Sequence, residues 1–138
     1  AYLRTLPAQP GAVPARAEVQ PPGETGPLTA AEAESAALLQ SACASCHAPD
    51  DRGPAGPYPR SFSNYSAVRD PAGTNLVRVL LDGLDRQGRT EHAFMPAYRE
   101  LLSDQQLADL ATYIGRRFGG HAADIRPEDV AAAREREH

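Results

Sequence analysis

Cys43-Ala44-Ser45-Cys46-His47 is the stretch on which the reading of this chain turns. Two thiols stand three residues apart, and an imidazole follows the second. On a turn of helix, Cys43 and Cys46 point the same way and His47 lies one turn beyond Cys43. That spacing suits a haem held through its two vinyl groups by thioether bonds, with the imidazole ligating the iron from one side. Two other chemistries use similar residues. A redox CxxC belongs in a βαβ setting, which the flanking sequence lacks. A structural zinc ion takes about four ligands, whereas only these three side chains cluster and His92, His121 and His138 are scattered.

Composition points the same way. The chain has 138 residues, enough for one domain and its tails, yet only 6% are aromatic and none is Trp. That is a thin supply of apolar bulk for a core, and a haem among the helices makes up the difference. Both cysteines are used by the motif, so no disulfide is expected. All fourteen basic residues are Arg and the net charge is −4. There is no basic stripe for nucleic acid, and docking through a ring of lysines is excluded. No apolar run approaches the ~20 residues that cross a bilayer, and no signal peptide is visible. Thioether attachment of haem takes place outside the bacterial inner membrane, so the chain reads as mature or excised, and His138 as either native or a tag remnant.

Working outward from the motif, residues 1–28 hold six prolines with Gly11, Gly23 and Gly26 and read as a semi-rigid linker. Ala1-Tyr2-Leu3-Arg4-Thr5-Leu6 reads as the end of an upstream helix, the remnant of a preceding domain. Thr29-Ala30-Ala31-Glu32 is a capping box opening a helix to Ala42, with Ala36, Leu39 and Ala42 on one stripe. Residues 48–59 form a Pro/Gly loop, and 61–70 a short helix ending at Asp70-Pro71. Thr74 is expected to cap a helix to Asp82, stopped by Gly83, with Leu76, Val79, Leu80 and Gly83 on one face. Residues 84–97 read as a polar loop. Ser103-Asp104-Gln105-Gln106 is a second capping box, followed at helical spacing by Leu107, Leu110, Ala111, Ile114 and Phe118 and ended by Gly119-Gly120. Pro127 suits a first helical position and starts a last, polar helix. No stretch reads convincingly as a strand, so the expected class is all-α. The expected division is linker 1–28, haem domain 29–120 and extension 121–138.

The iron's other axial position decides between electron carrier and catalyst. Met95, in Phe94-Met95-Pro96-Ala97-Tyr98, is the single methionine. It precedes a stiffening proline and lies just before the last amphipathic helix, so it is the preferred sixth ligand. His92, three residues earlier on the same loop, is the rival, with a solvated loop residue as its ordinary reading. His121 is expected to be exposed.

These residues resemble the class I cytochrome c family. The shared pattern is a helix, CxxCH, a Pro-containing loop, a middle helix, a Met loop and a C-terminal helix packed across the first, here residues 29–42, 43–47, 48–60, 74–82, 84–97 and 103–118. Asn75-Leu76-Val77-Arg78-Val79-Leu80-Leu81-Asp82-Gly83, the Met95 segment, the opening residues 1–7 and Arg126-Pro127-Glu128-Asp129-Val130 resemble the last haem domain of multi-haem cytochrome subunits that serve periplasmic alcohol, aldehyde and related dehydrogenases. The resemblance implies one covalent haem c, with Cys43 and Cys46 in the thioethers, His47 proximal and Met95 distal. It also implies a loop proline whose carbonyl accepts the His47 N–H, for which Pro59 matches best and Pro57 is the alternative. Ser35 stands where the family usually has Gly, Leu39 where it has an aromatic, Phe118 where Trp is common and Ser61 where Leu often follows the loop proline, so the first and last helices are expected to cross with Tyr113 more loosely.

The expectation is therefore a domain that is not itself an enzyme and that relays electrons from a periplasmic dehydrogenase towards a respiratory acceptor. Its partners would be the dehydrogenase's catalytic subunit or domain and other haem domains, with membrane association only through the full-length protein or complex. The alternatives are a haem sensor or haem enzyme with an open distal site, and a tethering module whose haem is structural.

Overall fold

Thr29 starts the first helix as a capping residue should. Its hydroxyl accepts from the Glu32 backbone N–H, and the Glu32 carboxylate accepts from the Thr29 N–H in return. In the computed structural model, which describes residues 27–47, 61–88 and 92–136, this helix (α1) runs Ala30–Leu38. It then widens into a π turn over Leu39–Cys43, closed by an Ala44 N–H to Leu39 carbonyl bond of 3.0 Å. Ser35, Leu39 and Cys43 are the buried positions, four residues apart, while Ala36 and Ala42 of the expected stripe are only half-buried.

After a short 3₁₀ turn at Phe62–Asn64, α2 is a single turn, Ser66–Arg69, with Val68 buried. Helix α3 spans Thr74–Asp82. Its N-cap is Gly73, in the left-handed conformation at φ 66°, and Thr74 is the first helical residue, contrary to the expected Thr74 cap. The buried face is Leu76, Val77, Leu80 and Leu81, and Val79 is half-buried. The sequence placed that face about one residue off, because a nine-residue helix packed between other helices buries more than one stripe.

The expected loop over 84–97 contains a hairpin, which corrects the all-α assignment to a mostly helical one. Strand β1, Leu84–Gln87, pairs antiparallel with β2, His92–Met95, in the register Leu84↔Met95 to Gln87↔His92. Asp85, Arg86 and Gln87 gave no apolar alternation to betray β1. The pairing arises because the chain leaves the end of α3 and must return to it.

Helix α4, Asp104–Phe118, opens with the second capping box, Ser103 and Gln106, and carries the expected stripe: Leu107, Leu110, Ala111 and Ile114 are buried and Phe118 is partly so. It packs across α1, α2, α3 and α5. Helix α5, Pro127–Glu135, has Pro127 at its start and puts its apolar positions Val130 and Ala133 into the same core. The segment between α4 and α5 is pinned by Thr112, whose hydroxyl accepts from the Ile125 N–H and donates to the Ile125 carbonyl. Among the described residues, no helix is long and apolar enough to cross a membrane.

Candidate functional site

The π turn delivers the cysteine pair. Beyond it the backbone keeps helical bonds: the Cys46 and His47 N–H groups both donate to the Cys43 carbonyl, at 3.1 and 2.8 Å. The spacing that the sequence suggested is thus built as a real turn. The two thiols differ in environment, however. Cys43 is buried in the core, whereas Cys46 is exposed. Burial pushes the Cys43 thiol above its ordinary pKa, against the lowering effect of a hydrogen bond with Tyr98. The Tyr98 hydroxyl also donates to the Ala42 carbonyl at 3.2 Å and ties the segment after Met95 to the turn before the motif.

His47 is oriented by aromatic packing. Its ring stacks on Phe62 at 4.8 Å between centroids and 21° between planes, and meets the edge of Tyr65 at 5.7 Å. Phe62 in turn stacks on Phe118 of α4 at 5.0 Å. Three rings therefore run from the C-terminal helix to the imidazole, and His47 Nδ1 is shielded from solvent. The sequence singled out Phe118 only as a departure from a common Trp. Its place behind Phe62 depends on tertiary packing.

The hairpin separates the two rival axial ligands. Side chains alternate faces along a strand, so His92 and Met95, three residues apart, point to opposite sides. Met95 and Ala93 are half-buried, and Met95 packs against the core cluster that contains Cys43 and Phe62. His92 and Phe94 are exposed, and His92 Nε2 lies 2.7 Å from an Asp85 carboxylate oxygen on the neighbouring strand. His92 is thus exposed, as expected, but on a strand rather than a loop. Gly83, the C-cap of α3, lies directly under the Met95 segment: a Cβ there would stand 2.4 Å from the Met95 carbonyl oxygen and 2.8 Å from the Ala97 nitrogen.

His121 is not exposed as expected. It is half-buried, and its Nε2 is 2.9 Å from the Val68 carbonyl, so that nitrogen donates. It locks the end of α4 onto α2, a role no local pattern announces. Pro57 and Pro59 lie outside the described residues, as do the linker up to residue 26 and His138.

Two thiols on one turn, an imidazole beside them and a thioether at the same apolar cluster make a donor set that fits a covalently held haem. Among the described residues, no three His, Cys, Asp or Glu side chains are grouped to hold a metal ion.

Comparison with known proteins agrees. The cytochrome c family model matches residues 32–116. The chain is 34% identical over 119 residues to one of the subunits of nicotinate dehydrogenase from Pseudomonas putida, covering 85% of this chain and 9% of that protein. It is 27% identical over 151 residues to the fructose dehydrogenase cytochrome subunit of Gluconobacter japonicus, covering 96% of this chain and 31% of that one. It is 30% identical over 106 residues to the gluconate 2-dehydrogenase cytochrome c subunit of Pantoea cypripedii, with 74% and 24% covered. The chain thus spans less than a third of each of these relatives.

Proposed function

The chain belongs to the cytochrome c family, and from that premise we propose that it is a non-catalytic electron-transfer domain with one covalent haem c, accepting electrons from a dehydrogenase and passing them towards a respiratory acceptor in the periplasm. The observation that carries this reading is the convergence on one apolar cluster: Cys43 belongs to it, Met95 packs against it, and His47 stacks on its member Phe62. Relatives that are cytochrome subunits of dehydrogenases support the choice of partner.

In this reading Cys43 and Cys46 would hold the haem through thioethers, His47 and Met95 would ligate its iron, and Pro59 would be the acceptor for the His47 N–H. When bound, the haem supplies a one-electron couple. The protein's part is to hold both ligands still through oxidation and reduction. Phe62, Tyr65 and Phe118 fix the imidazole plane, Gly83 lets the Met95 backbone close onto α3, and Leu80, Leu107 and Leu110 keep water from the cluster. Phe94, 66% exposed and next to Met95, gives the outer face of the hairpin an apolar contact point. With no Lys in the chain, charges at the rim of a docking surface are Arg and carboxylates, which tune association rate more than affinity. Association with a membrane would come through the longer protein or complex.

The test begins with the haem-matured protein. Acid–acetone should leave the haem on the polypeptide; haem in the organic phase refutes covalent attachment. A far-red charge-transfer band of the oxidised form, the mark of thioether ligation, should be lost in Met95→Ala, which opens the iron to cyanide, and kept in His92→Ala. No such band in the unsubstituted protein, with cyanide binding opened by His92→Ala and not by Met95→Ala, would make His92 the ligand. Reduction by a cognate dehydrogenase should depend shallowly on ionic strength. An absence of reduction, together with ready carbon monoxide binding by the unsubstituted protein, would favour the sensor or open-site enzyme.

A further inference from the structure

Helix α5 lies across the exit of the Met95 segment and makes polar contacts with the end of α3, with the residues that follow Met95 and with the start of α4. Just past Met95, the Tyr98 and Arg99 N–H groups donate to the Leu80 and Leu81 carbonyls, at 3.0 and 3.2 Å. They satisfy carbonyls at the end of α3 that the helix itself leaves unbonded. The Arg99 guanidinium then bridges the Asp82 carboxylate, on the last residue of α3, and the Arg134 carbonyl in the last turn of α5, the latter at 2.9 Å. Arg134 answers in kind. Its guanidinium donates to the Arg99 carbonyl, to the Leu102 carbonyl at 3.2 Å, and to the Asp104 carboxylate at 2.8–2.9 Å, at the start of α4. Arg78 of α3 closes the far end by donating to the Arg136 carbonyl at 2.8 Å.

The arrangement is reciprocal: each of Arg99 and Arg134 spends its guanidinium on the other's backbone carbonyl. Arg is the residue for this, since its fixed fork can serve a carboxylate and carbonyls at once, which an ammonium cannot. The four charged side chains, Asp82, Arg99, Asp104 and Arg134, are only 23–36% exposed, so solvent competes weakly for them. Beneath them Val130 and Ala133 bury α5 in the common core.

We propose that α5 is a clamp on the axial methionine, and that Arg99 and Arg134 are positioning residues for Met95. The inference rests on Met95 being the sixth ligand. Its prediction is that the thioether leaves the iron more often when the clamp is opened, although neither arginine belongs to the apolar cluster. The core alone could keep the fold; the clamp keeps the residues just after Met95 from swinging outward.

The experiment uses the haem-matured chain and follows imidazole binding to the ferric form, which requires Met95 to leave, together with the far-red thioether band. Arg134→Ala and Arg99→Ala should bind imidazole about tenfold faster, the factor that ~1.4 kcal/mol corresponds to, and show a weakened band. Arg134→Lys should fall between them and the unsubstituted protein, because it can still meet Asp104 but not the two carbonyls. Thr29→Ala, which removes the N-cap of α1 at an exposed position, should lower thermal stability and leave the imidazole rate unchanged. If the alanine variants do not take up haem, Arg134→Lys and Arg99→Lys decide by the same criterion. Unchanged imidazole rates in the arginine variants, or an equal rise in Thr29→Ala, would overturn the clamp while leaving the ligand assignment standing. A far-red band that survives Met95→Ala would overturn both.

Discussion

Replacing Gly83 by alanine puts a closely fitted joint of the site under strain. Gly83 has φ 68° and ψ −165°, a region that essentially only glycine occupies and that costs other residues about 1–3 kcal/mol. The new Cβ would also meet backbone rather than side chain: the Met95 carbonyl oxygen at 2.4 Å, the Ala97 nitrogen at 2.8 Å and the Pro96 carbonyl carbon at 2.9 Å. Ordinary contact begins at 3.4 Å, so the Met95 segment must move by about 1 Å or the end of α3 must yield. Gly73→Ala is the matched comparison. That residue is also left-handed, at φ 66°, but its Cβ would meet the flexible end of Ile125, with Cδ1 at 2.5 Å. Its cost is chiefly the ~1–2 kcal/mol of the left-handed backbone. In the haem-matured protein both substitutions should lower Tm, by about 4–8 °C per kcal/mol for a domain of roughly this size. Only Gly83→Ala should also weaken the far-red band and speed imidazole binding. A Gly83→Ala protein that keeps both the Tm and the band, or a Gly73→Ala protein whose band is disturbed as much, would show that Gly83 does not set the position of the Met95 segment.

Two further substitutions probe the frame behind His47 and α5. Phe118→Ala removes the last of the three stacked rings and should cost about 3 kcal/mol, the low end for such a truncation because the ring is only partly buried; circular dichroism melts measure the loss, and broadened haem-methyl resonances in NMR would report a loosened imidazole. Thr112→Val leaves the Ile125 N–H and carbonyl without their shared hydroxyl and should cost about 1–3 kcal/mol, with amide exchange rising first at Ile125 and in α5; uniform exchange across the chain would show that Thr112 does not anchor that helix.

The CxxCH turn, both capping boxes, the core stripe of α4, the stop at Gly83 and the start of α5 at Pro127 were legible in the sequence, because each is set by residues within one or two turns of each other. Hydroxyls meeting N–H groups three residues on, apolar side chains at helical spacing and a proline at a first turn act locally, so a one-dimensional pattern carries them. What the sequence left open depends on partners far along the chain. Residues 84–87 have no strand pattern of their own, and the register of Leu84 against Met95 comes from the chain's return to α3. That pairing decided the faces of His92 and Met95, which a loop reading leaves undefined, because only a strand gives every second residue the same side. In the same way His121 found Val68, Phe118 came to stand behind Phe62 and His47, and Arg134 met Arg99, all through packing across helices. The sequence determined which atoms are present to hold a haem; the tertiary structure decided which of them face one apolar centre and what holds them there, since close packing and shared hydrogen bonds are properties of neighbours in space.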